Sequence, residues 1–85
     1  MFRVRWTRTA SNQLATIWTH APDQNAVTAA SHRIEQLLRR DPANQGEDRP
    51  NGRRVIFRAP LVVLYRIDTS TNVVTVVGVS QYGTA

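Results

Sequence analysis

Phe2, Val4 and Trp6 alternate with Arg3 and Arg5 at the start of the chain, the period-2 pattern of a strand with one buried face and one basic face. Thr7 or Thr9 can then cap a helix to about Ala21, because a hydroxyl there accepts from a free N–H of the first turn. Ala10, Leu14, Ile17, Trp18 and Ala21 fall at helical spacing and predict one apolar stripe. After Pro22, Asp23 is placed to cap a second helix through about Arg40, in which Val27, Ala30, Ile34, Leu37 and Leu38 repeat the helical period. Arg39 and Arg40 suit its negative end, and Asp41-Pro42 stops it. The two helices predict a hairpin with a shared apolar seam.

Residues 41–52, "DPANQGEDRPNG", are polar and rich in proline and glycine, which predicts a loop long enough to carry function. Three β-like runs follow: Arg54 to Ala59, Leu61 to Asp68 and Val73 to Val79, with Pro60 turning the first pair and residues 68–72 the second. The predicted fold is α+β, ordered β-α-α-β-β-β, with a helical hairpin on one face of a small, mainly antiparallel four-stranded sheet. Arg54, Ile56 and Arg58 share one parity on their strand, so if Val55 and Phe57 face the helices, both arginines face out.

At 85 residues the chain predicts a single domain, 1–85, with a small core. It holds no cysteine, so neither a disulfide nor a thiolate metal site is expected. No apolar run approaches the ~20 residues of a membrane span, and a cytoplasmic protein is expected. The net charge of +5 rests on 11 arginines, with no lysine. Arginine's planar fork suits phosphate and carboxylate, although a GC-rich genome also favours it. The excess lies at both ends: Arg3, Arg5 and Arg8 face no acid in residues 1–22, whereas residues 23–48 hold more acids than arginines.

"FRVRWT" leading into a helix, the helix-ending "LLRRDP", "GRRVIFRAPLVVLYRID" and a valine-rich last strand together resemble the RelE/ParE superfamily of bacterial toxins from type II toxin–antitoxin pairs. The resemblance implies a small curved sheet whose open face meets the target, and an antitoxin as protein partner. In RelE-like members that face cuts mRNA on the ribosome without a metal, the 2′-oxygen attacking its own phosphate. ParE-like members share the fold and act on DNA gyrase. A non-toxic binding module of the same fold is a third possibility, because fold does not dictate function.

On the nuclease reading, Arg54 and Arg58 match positions that hold phosphate, and Tyr82 matches a tyrosine or histidine that assists proton transfer. These three are the expected catalytic residues of a metal-independent endoribonuclease. Arg3, Arg5, Arg53 and Arg66 are the expected nucleic-acid contacts. Leu61 or Val62 stands where those nucleases keep an arginine, which is a departure, and Gln81 cannot titrate. Proton transfer is the difficulty, since arginine cannot accept a proton. The remaining carriers besides Tyr82 are His20, His32, Tyr65 and a few carboxylates. The histidines read as surface residues and Tyr65 as core. With two isolated histidines and no HExxH or CxxC, no metal or other cofactor is expected.

Overall fold

The computed structural model describes residues 1–81. Strand β1 (Arg3–Trp6) leads into helices α1 (Arg8–His20) and α2 (Gln24–Arg40), and a 3-10 turn (Pro42–Asn44) follows. Four more strands complete the chain: β2 (Glu47–Arg49), β3 (Arg53–Arg58), β4 (Leu61–Asp68) and β5 (Val73–Gln81). They form one sheet in the order β1-β5-β4-β3-β2, antiparallel except where β1 runs parallel to β5. Both helices cover one face and leave the other open. Among the described residues no helix is long and apolar enough to cross a membrane.

Each helix starts where a side chain replaces the missing backbone acceptor. Thr7 Oγ1 accepts from Ala10 N at 3.0 Å, and Asp23 Oδ1 accepts from Ala26 N at 3.0 Å. The buried residues of α2, namely Val27, Ala30, Ile34 and Leu38, meet Leu61, Val63 and Tyr65 of β4 and Val74 and Val76 of β5 in one core cluster. The predicted stripe on α1 is narrower. Ala10 is buried and Leu14 and Ile17 half-buried, but Trp18 is 43% exposed and its indole Nε1 donates across the hairpin to Thr28 Oγ1 at 3.2 Å.

Two expectations need correction. The sheet has five strands, because Glu47–Arg49 within the expected loop pairs antiparallel with β3. It carries no apolar alternation to betray it; all three residues are polar and exposed, as suits a short edge strand. Asn51-Gly52 is the missed signal: with φ of 67° and 72°, the two residues supply the left-handed turn that a hairpin demands. The faces of β3 are also reversed. Ile56, not Val55, joins the core cluster, so the parity of Arg54, Ile56 and Arg58 lies on the helix side. The partners across β4 agree, because Arg54 pairs with Tyr65, Ile56 with Val63 and Arg58 with Leu61.

A bulge near the end of β5 explains its uneven alternation. The register passes from Leu64–Gly78 to Tyr65–Val76, leaving Val77 as the extra residue. Val74, Val76 and Val79 can therefore all be buried. The Val79 N–H turns to α1, where Gln13 Oε1 accepts it at 2.7 Å.

Candidate functional site

Arg54 is held, not presented. Its Nε and Nη2 donate to Gln45 O at 3.0 and 2.8 Å, Nη2 also reaches Gly46 O at 3.2 Å, and Nη1 pairs with Asp48. Its side chain is only 19% exposed. Beside it, the fully buried Tyr65 places Oη 2.8 Å from Pro42 O and 2.9 Å from Gln45 O, donating between the two carbonyls. Arg54 and Tyr65, register partners on β3 and β4, thus bolt the 42–48 segment to the sheet. A buried carbonyl left without a donor costs about 1–3 kcal/mol, and charged donors are the stronger ones.

Burial raises the Tyr65 phenol above its ordinary value of 10.0, opposed by the nearby Arg54 guanidinium. The folded-state value thus exceeds the unfolded one, so the stabilisation is whole below pH 10.0 and is lost as pH rises through the folded-state value. Stability measured by urea unfolding should fall more steeply above that pH in the native sequence than in Tyr65→Phe. Equal slopes would contradict a buried neutral phenol.

Arg58 differs from Arg54. It ends β3 on the helix side, is exposed, and makes no hydrogen bond or ion pair with another described residue. Tyr82, the expected proton carrier, lies outside the described residues. His20 is exposed, with Nδ1 2.9 Å from Thr16 O, and His32 is exposed on α2.

The open face gathers the remaining arginines. Arg5 pairs with Thr75, Thr75 with Arg66, Arg66 with Arg53, and Arg53 with Arg49. Partners directly opposite share a face, so these five residues form one row across all five strands, at a step of roughly 4.8 Å. All four arginines are exposed. Arg3 lies two residues from Arg5 on the same face, and a cleft beside the row is lined by Arg3, Arg5, Arg66 and Thr75. The structure therefore brings the expected contacts Arg3, Arg5, Arg53 and Arg66 together, and adds Arg49, which came into view only once β2 was seen to pair.

Two acids border the row. Asp68 Oδ1 accepts from its own turn, Ser70 N at 3.0 Å and Ser70 Oγ at 2.6 Å, and the Ser70 and Thr71 hydroxyls lower its carboxyl below the usual range. Glu47 Oε1 lies 3.4 Å from Arg49 Nη1. Arg5, Arg53 and Arg66 have no carboxylate partner among the described residues.

Comparison with solved structures finds the same architecture. The RelBE2 toxin–antitoxin complex from Mycobacterium tuberculosis superposes with a TM-score of 0.79 at 24% identity, covering 98% of this chain and 93% of that one. The chromosomal ParDE system from P. aeruginosa gives 0.75 at 18% identity, covering 96% and 97%. The isolated RelE toxin from E. coli gives 0.69 at 11%, covering 100% and 88%. No curated protein matches the sequence. The family model that matches describes the ParE toxin of the type II toxin–antitoxin system parDE, and it spans residues 4–81. From β1 to the end of β5, then, the chain belongs to the ParE toxin family, within the RelE/ParE superfamily of type II toxin–antitoxin systems.

Proposed function

We propose that this toxin disables its target by binding it, in the manner of ParE-like toxins on DNA gyrase, and does not cut RNA. The observation that carries this reading is the engagement of Arg54. Metal-free cleavage needs cations free to meet the phosphate as charge develops on it, and Arg54 spends its Nε–H and both terminal nitrogens on the chain itself. Gyrase and ribosome alike place such a toxin in the cytoplasm, and its other partner is a cognate antitoxin. The competing reading, a ribosome-dependent mRNA interferase that inhibits translation, is supported by Arg58, which stays exposed, and by the arginine row.

Two purified reactions separate them. DNA supercoiling by gyrase should stop on addition of the protein, while ribosomes translating a defined message should leave the mRNA whole. New 5′ ends that require ribosomes, and that vanish in Arg58→Ala, would overturn the binding reading.

A further inference from the structure

We propose that the open face of the sheet is the docking surface for an acidic, amphipathic segment of the cognate antitoxin, an inference that rests on the toxin–antitoxin reading above. The first observation is the arginine row itself. Arg66 faces Arg53 and Arg53 faces Arg49 directly across strand pairs, and like charges so placed destabilise a sheet. Asp68 turns to its own loop, leaving the centre of the row without a counter-charge. A ligand that supplies carboxylates at that spacing removes the repulsion and gains forked hydrogen bonds.

The second observation is what lies beside the row. Two residues further along β3, about 6.6 Å away, Val55 pairs with Leu64, and beyond them Phe57 pairs with Val62. The face is therefore basic along one line and apolar along the next, with Leu64 and Val62 half-buried and Phe57 40% exposed. A helix laid across the strands presents a turn every 5.4 Å against a strand spacing of about 4.8 Å. Glutamates one turn apart would meet Arg66, Arg53 and Arg49 in succession, while the adjoining flank sets apolar side chains on Leu64 and Val62.

A single-stranded nucleic acid suits this face less well. Such strands are held by cations along the backbone together with aromatic platforms for the bases. Here aliphatic residues stand next to the arginines, and Phe57, the one aromatic residue of the face among those described, lies about 13 Å along its strand from Arg53.

The test is stopped-flow and equilibrium binding of the full chain to its co-encoded antitoxin, with circular dichroism to verify folding. Arg53→Glu combined with Arg66→Glu should slow association about tenfold and weaken Kd about a hundredfold, and should flatten the salt dependence. Arg53→Gln with Arg66→Gln should give a smaller loss in the same direction. Leu64→Gln should raise the dissociation rate, whereas Arg33→Glu on exposed α2 should match the native chain. Unchanged binding in both row variants overturns the proposal. So does tight binding of an oligothymidylate of about twelve residues that the row variants abolish while antitoxin binding survives, which would make the face a nucleic-acid site. If the native chain ignores the antitoxin altogether, the toxin–antitoxin reading falls first, a result distinct from a failure confined to the variants.

Discussion

Gly46→Ala is expected to lower stability by about 3 kcal/mol or more, a large share of what a domain this small possesses. Two effects combine. Gly46 has a φ of +65°, where a side chain costs about 1–2 kcal/mol by itself. An added Cβ would also fall on the Val55 carbonyl oxygen, well inside contact distance, and 2.8 Å from Val55 C. These are backbone atoms of β3, which no rotamer change can move, so β2 and the 42–48 segment must lift from the sheet. Gly52 supplies the control. It has a φ of +72° but nothing within 4 Å of its would-be Cβ, so Gly52→Ala should cost only about 1–2 kcal/mol. Urea unfolding of the two variants side by side measures the difference, and similar midpoints would show that β2 gives way freely.

Arg54→Gln is expected to cost about 2–3 kcal/mol, with toxicity lost only as far as folded protein is lost. Glutamine cannot reach both carbonyls that the guanidinium holds, Gln45 O and Gly46 O. The pair with Asp48 adds little, because the Asp48 side chain is 89% exposed. Arg54 and Tyr65 share the Gln45 carbonyl, so Arg54→Gln and Tyr65→Phe together should destabilise by an amount that differs from the sum of the single effects. The functional arm is decisive. Growth arrest by Arg54→Gln, compared at equal amounts of folded protein, should equal that of the native sequence. A variant as stable as the native chain yet harmless would return Arg54 to the target-contacting role that its sequence position suggests.

Much of the fold was legible because its helices and first strand speak in simple periods. Thr7 and Asp23 announce their caps, α2 repeats its apolar stripe without a break, and β1 alternates cleanly. Legibility fails where the pattern carries two messages. β3 has adjacent apolar residues, Val55 and Ile56, both of them buried, so either parity could face the helices and the wrong one looked natural. β4 and β5 are apolar on both faces, which hides register, and the Val77 bulge makes any strict alternation misleading. β2 is silent because "EDR" gains its strand state only from pairing with β3.

For the candidate site the failure was of another kind. The arginines were found by type, but their use depends on tertiary neighbours. Arg54 looked free because its acceptors, the carbonyls of Gln45 and Gly46, are backbone atoms that no residue pattern advertises. The alignment of Arg5, Arg66, Arg53 and Arg49 in a single row depends on three hairpin registers and on one parallel pairing across the length of the chain.

That parallel pairing also governs when the protein can exist. β1 is joined to the sheet only through β5, with Arg3 beside Val73 and Trp6 beside Val76, so the first strand to be made waits for the last. Such distant pairings fold slowly, since a long loop must close before any contact rewards it. A nascent chain that has not yet reached residue 73, or one cut short before it, can form the α1–α2 hairpin and the β3–β4 ladder but has no place for β1. The complete surface comes into being only with full-length synthesis, which keeps a growth-inhibiting protein inert throughout its own manufacture.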